Sequence, residues 1–232
     1  DRCAFCDAPV VVLTEHEGLI PPESVLPFAV EKKQAAVKFK AWLASRWFAP
    51  NDLVQRSRQE GIDGVYLPYW TFDASSNALY QGERGDDYYE TEQGTDADGN
   101  YVERKVRKTR WTPVGGQVGR HFDDVLVCAT TSLPRTLTEG LEPWDLHALV
   151  PFEPSYLAGF TAERYSLALD KGWVTAQQRI EQQLRRDIEA DIGGDRQKIV
   201  SMQVGHANTT FKHTLLPLWI SAYRYEGEVY RI

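Results

Sequence analysis

The segment Val65-Tyr66-Leu67-Pro68-Tyr69-Trp70-Thr71-Phe72 returns near the other end of the chain as Thr214-Leu215-Leu216-Pro217-Leu218-Trp219-Ile220-Ser221. Ala78-Leu79-Tyr80-Gln81-Gly82 follows the first copy, and Tyr225-Glu226-Gly227-Glu228-Val229-Tyr230 follows the second. Upstream of each, a short apolar alternation (Phe28 and Val30; Tyr165, Leu167 and Leu169) runs into a helical pattern. Self-similarity of this kind constrains a fold strongly, because a copied unit has to find equivalent surroundings. The fold expected is α+β, with two strand-helix-strand-strand repeats whose antiparallel sheets each carry one helix, related by an approximate two-fold. Residues 1–22 form half of a zinc knuckle plus a linker. Repeat one covers 23–81, an inserted hairpin and connector 82–157, and repeat two 158–232. A proline inside each strand favours an edge or a bulge over a central position.

From Glu31 to Phe48, the apolar positions Ala36, Phe39, Leu43 and Trp47 recur at helical steps, and Pro50 ends the run. The second helix has a stronger stripe of Trp173, Ala176, Ile180, Leu184, Ile188 and Ile192. Asp170 is placed to cap its start, and Gly193-Gly194 to end it. Gly82 to Trp111 belongs to neither copy and reads as a hairpin around Asp96-Ala97-Asp98-Gly99-Asn100. A two-residue turn at Asp98-Gly99 pairs residues whose numbers sum to 197. That sets Glu90 opposite Arg107, Glu92 opposite Lys105 and Asp87 opposite Arg110, an acidic strand neutralising a basic one. Val114 to Gly119 is glycine-rich and reads as a loop.

The chain of 232 residues is 42% hydrophobic and 12% aromatic, which is ample for a packed core. Its net charge of −7 supplies no overall field for nucleic acid or anionic lipid, so any such binding must be local. No apolar run reaches the roughly 20 residues of a membrane-spanning helix. Three cysteines, two of them in one C-x-x-C, fit a reducing cytoplasm better than a secreted disulfide framework. The chain begins with Asp and its one methionine is Met202, so the natural start is expected upstream.

Few motifs carry chemistry. Cys3-x-x-Cys6 is half of a tetrahedral zinc site, since two thiolates on one turn can reach a single ion; a bare turn and a redox pair are its alternatives. Asp96-x-Asp98-Gly99-Asn100 opens like a calcium loop but has Arg107 where the twelfth-position glutamate belongs, so a hairpin turn is preferred. Arg104, Lys105, Arg107, Lys108 and Arg110, beside Trp111, are the candidate nucleic-acid contact, set against neutralisation across the hairpin. His213 and His147 are candidates for acid-base work, without a nucleophile at recognisable spacing. The tryptophans and tyrosines read as packing.

As an ordered set, several motifs resemble the bacterial TFIIB-type zinc-ribbon-containing proteins often labelled primosomal or PriA-like. These are Cys3-x-x-Cys6, Leu26-Pro27-Phe28, Tyr66-Leu67-Pro68-Tyr69-Trp70, Arg110-Trp111 with Gly115-Gly116, Glu142-Pro143-Trp144-Asp145-Leu146, Tyr156-Leu157-Ala158-Gly159-Phe160, and Phe211-Lys212-His213 leading to Leu215-Leu216-Pro217-Leu218-Trp219. The resemblance implies an earlier C-x-x-C upstream, with Cys3 and Cys6 as the second half of a structural zinc ribbon. It also implies partnership with membrane-stress proteins of the phage-shock and SPFH (stomatin-like) types. Asp7 departs from the glycine usual after the second cysteine. No nucleotide-binding loop supports a helicase activity.

The function expected is therefore a non-enzymatic cytoplasmic interaction or adaptor module with a structural zinc ribbon, membrane-associated through a partner or the missing termini. A nucleic-acid-binding replication accessory protein is the first alternative, and a metal-dependent hydrolase built on His213 and His147 the second.

Overall fold

In the computed structural model, residues 18–45, 62–95, 100–225 and 228–231 are described. Strand makes up 50% of them and helix 26%. Among the described residues, the two expected strand-helix-strand-strand repeats are not what forms. The chain is mostly β, organised by one mixed sheet. Its strands are β1 (Ser24–Val25), β2 (Asp63–Thr95), β3 (Tyr101–Cys128), β4 (Val150–Pro151), β5 (Thr161–Ala162) and β6 (Arg196–Ile220). The helices are α1 (Lys32–Ala44), α2 (Arg135–Glu139) and α3 (Leu169–Ile192). Antiparallel β7 (Ala222–Tyr225) and β8 (Glu228–Arg231) make a separate two-stranded sheet.

The chain divides into two compact units, and β2, β3, β6 and α3 pass from one to the other. Unit one holds residues 1–71, 126–173 and 211–232. Its strand order is β3-β2-β6-β1-β4, with β5 on β2. The sheet is mixed because β1 runs parallel to β6 (Ser24 beside Thr214) and β5 parallel to β2 (Val65 beside Thr161). Val65 and Thr214 each stand three residues before the proline of their Leu-Pro-x-Trp segment, and each meets one of these short strands.

Both faces of β2 are covered here, which explains its unbroken apolar run. Val65, Leu67 and Tyr69 join Leu26, Leu126, Leu133, Leu216 and Ile220 in one core cluster. Tyr66 joins Val25 and Leu215 on the opposite face, with Phe28 and Phe160 packed alongside. Trp70 is fully buried and donates its indole N–H to Leu167 O at 2.9 Å. Close packing against Trp70 also explains Gly172, where a Cβ would sit 2.7 Å from the indole.

Unit two holds residues 72–125 and 174–210. Ala176, Ile180, Leu184 and Ile188 on α3 are fully buried and Ile192 nearly so, the i, i+4 stripe read from the sequence. Gly193 and Gly194, both at positive φ, end the helix as expected. Asp170 lies within the first turn rather than ahead of it, favourable there for the helix dipole. Tyr80 donates to Asp191 at 2.5 Å and Arg120 to Asp187 at 2.7 and 2.8 Å, tying β2 and β3 to this helix. Val114 to Gly119 is therefore strand rather than loop. A Cβ on Gly116 would press on Tyr80 and Asp191, so glycine is the residue that allows the close approach.

The hairpin register also differs from expectation. Ser75 bonds His121 and Thr109 bonds Asp87, pairs whose numbers sum to 196 rather than 197. Nearer the core, Ala129 N–H donates to Pro68 O, a sum of 197. The difference is taken up at Asp124, a non-glycine residue at φ 53 in β3, which is the signature of a β-bulge. A one-residue shift exchanges the faces of every side chain beyond it, so the pairs expected from 197 are replaced.

Candidate interaction surface

β6 begins at Arg196, next to Asp195, whose N–H donates to Gly85 O. Beyond Gly85, β2 and β3 continue as a two-stranded arm, and the hairpin is the far part of two long strands rather than an insertion. Residues 88–94 of β2 are exposed, as are 101, 103–105 and 107 of β3. The 196 register puts odd-numbered residues on one face and even-numbered residues on the other.

At the root of the odd face, Asp87 Oδ1 accepts from Thr109 Oγ1 at 2.5 Å and Oδ2 accepts from Arg107 Nη2, with Arg196 Nε 3.3 Å from Oδ1. The Thr109 hydrogen bond first, and the Arg107 and Arg196 charges with it, hold this carboxyl below the usual Asp range. On the even face Lys108 reaches both Glu90 and Glu92 at 2.7 Å, which pushes its ammonium pKa up. Arg110 stands over the Tyr88 ring, 5.4 Å from its centroid. The pairs expected at Glu90–Arg107, Glu92–Lys105 and Asp87–Arg110 are thus replaced by Lys108 with two glutamates and Arg107 with Asp87.

Of the five cations read as a nucleic-acid contact, Arg107, Lys108 and Arg110 are engaged inside the arm. Arg104 and Lys105 have no ionic partner among the described residues. Nor did the sequence reading single out the arm's aromatic residues, which it assigned to packing. Tyr89 is 68% and Tyr101 90% exposed. The Tyr88-Tyr89 pair inside a run of charged and polar residues was the available signal.

Elsewhere, Asp73, Asp123 and Asp124 bring carboxylate oxygens within 4.8 Å of one another. Asp73 already accepts the Asp124 N–H and the Thr210 hydroxyl, both at 2.9 Å, so it stitches the bulge to β6. Three clustered carboxylates are a donor set for a hard cation, and the Asp123-Asp124 pair at the edge of an apolar strand was its signal in the sequence.

His213 and His147 do not form a joint site. His213 is buried at 6% exposure, with Nδ1 donating to Ile20 O at 2.8 Å and its ring against Trp70 and Tyr165. Burial lowers its pKa, so the neutral imidazole is a packing element. His147 is exposed on the one-turn helix Leu146–Ala148. Cys128 is a free thiol whose pKa burial pushes up, with Tyr69, Thr138 and Glu163 around it. A thiol so placed is a poor nucleophile. Cys3 and Cys6, with the zinc half-site they would form, lie outside the described residues, as do Asp96 to Gly99 of the expected turn. Among the described residues no helix is long and apolar enough to cross a membrane.

No protein-family model matches the chain, and no solved structure matches it. It is similar to the uncharacterized protein YdjG of Bacillus subtilis (strain 168), at 26% identity over 212 residues. The match takes in 90% of this chain and 59% of that protein, so the chain spans little more than half the length of this relative.

Proposed function

We propose that this chain is a non-enzymatic interaction module whose contact element is the arm formed by β2 and β3. The observation that carries the reading is the exposure of Tyr89 and Tyr101 on a ribbon braced by the ion pairs of Arg107 and Lys108. Tyrosine offers a large, rigid, amphipathic contact at low entropic cost, and aromatic residues are enriched at protein interfaces. In this reading the Asp87 and Lys108 clusters fix the ribbon so that little ordering entropy is lost on binding. Cys3 and Cys6 would supply half of a structural zinc ribbon of the TFIIB type. The partner class would be the membrane-stress scaffold proteins implied by the resemblance, met in the cytoplasm.

Site-specific photo-crosslinking in the full-length protein tests the proposal. A benzophenone amino acid at Tyr101 should yield a discrete protein adduct in the native host, and the same group at Val174, half-exposed on α3, should not. A nuclease-sensitive adduct at Tyr101 would turn the reading toward nucleic acid, where aromatic stacking beside Lys105 would do the work. No adduct at Tyr101 would refute the arm as the contact element.

A further inference from the structure

β3 is the terminal strand of its sheet, with β2 as its one neighbour among the described residues. It is 28 residues long, and along residues 101–112 it carries no proline until Pro113 interrupts the row of N–H groups. An open edge of about 12 residues, roughly 40 Å at the rise of a strand, presents unpaired backbone donors and acceptors that another extended segment can complete.

The charges decide what that segment would be. In the same ribbon β2 carries Asp86, Asp87, Glu90 and Glu92, whereas β3 carries Arg104, Lys105, Arg107, Lys108 and Arg110 against the one acid Glu103. Arg107 is bound to Asp87, Lys108 to Glu90 and Glu92, and Arg110 to the Tyr88 ring, which leaves Arg104 and Lys105 without an ionic partner among the described residues. Being adjacent in a strand they point to opposite faces, so an added strand would meet one cation on each side. A second copy of β3 paired antiparallel over this stretch would set cations against cations, which is disfavoured directly across a strand pair. A nucleic-acid strand would find two of the five cations already neutralised and a third turned onto the Tyr88 ring, on a chain whose net charge is −7.

We propose that the edge of β3 between Tyr101 and Thr112 is a docking site for an acidic, extended segment of a protein partner, which adds as a further strand beside Arg104 and Lys105. The proposal rests on the interaction-module reading and assigns its partner a chemistry. Main-chain hydrogen bonds would provide affinity, and the two cations direction and selectivity.

The probe is a fluorescein-labelled ten-residue peptide of alternating Glu and Thr, titrated against the full chain and followed by anisotropy. Saturable, salt-sensitive binding is expected, with increased amide protection across residues 101–112. Methylating alternate peptide nitrogens, which removes donors without changing charge, should weaken binding at least tenfold. Arg104→Glu with Lys105→Glu should do the same, and Arg104→Gln with Lys105→Gln less. Lys38→Glu, on the exposed side of α1, should change nothing, and circular dichroism confirms that each variant folds.

Equal binding of the N-methylated peptide, of a Lys-Thr peptide or to the charge-reversed chain would overturn the proposal. So would tighter binding of a ten-nucleotide oligo-dT, self-association lost on charge reversal, or no binding at millimolar peptide. If the Tyr101 crosslink persists while the peptide fails, only the docking chemistry is wrong; if both fail, the interaction module falls with it.

Discussion

Leu184 tests whether α3 anchors unit two as the structure has it. Its side chain is fully buried in the stripe that includes Ile180 and Ile188, one turn to either side and equally buried. Leu184→Ala deletes three carbons, and at about 0.8 kcal/mol per methylene the lost transfer energy is about 2.4 kcal/mol. The space left cannot close fully, because the neighbours are branched side chains fixed on the same helix, so a cavity contribution brings the loss to about 3–4 kcal/mol. For a chain of this size each kcal/mol moves Tm by roughly 2–4 °C, so a fall of about 6–16 °C is expected. Urea unfolding followed by circular dichroism gives the free energy, and Val174→Ala, half-exposed on the same helix, should cost less than about 0.5 kcal/mol. If the two variants lie within about 1 kcal/mol of each other, α3 does not bury this face, and the packing derived for unit two is wrong.

His213 is held neutral by burial with its pKa lowered from 6.5, so the unfolded chain takes up a proton that the folded chain resists. Stability should fall as pH drops below about 6.5, and His213→Asn, which retains a donor for Ile20 O, should flatten that part of the Tm–pH profile; an unchanged slope refutes it. Asp87 has the opposite sign: its pKa lies below the ordinary value, so its contribution is present above that range and is lost as pH falls through the folded pKa. Asp87→Asn should speed amide exchange at residues 85–90 near neutral pH and leave it equal to wild type in strong acid. Asn208 sits exposed in β6 at φ 53, so Asn208→Gly should hold or raise stability by up to about 1 kcal/mol, while Asn208→Val should cost about 1–2 kcal/mol. A thermal melt in which Val equals Gly would exclude the left-handed conformation.

How much of this was legible follows from what each signal depends on. The α3 stripe was readable from end to end because a buried helix face repeats every three or four residues within one segment, and Gly193-Gly194 marks its end without help from the rest of the fold. That acidic and basic strands face each other in the arm was readable too, since the charges lie in two separate runs. The partners were not, because register depends on a bulge, and Asp124 carries no local sign that it adopts φ 53. Glycines misled for a related reason: at Gly116 the residue answers to the approach of Asp191, 75 positions away, and alone it looks like a loop. The Leu-Pro-x-Trp likeness was real as sequence, yet it led to two antiparallel sheets, because nothing in the segments shows that β1 and β5 join in parallel on the neighbouring long strands.

The arm's surface shows most clearly what a pattern omits. Tyrosine is assigned to packing by default, and Tyr66, Tyr69 and Tyr80 obey, each with a sheet neighbour or a helix to cover it. Tyr89 and Tyr101 lie on the same two strands, past the point where β6 begins at Arg196 and beyond which it gives no cover. Which tyrosines become surface is therefore decided by the length of the third strand rather than by their own neighbours. That end point frees the outer edge of β2 alone, since β3 is the terminal strand of its sheet all along its length among the described residues. Lengthening β6 toward the tip would close the β2 side of the arm and leave the β3 edge open, so the cover over the tyrosines and the availability of that edge have separate structural causes.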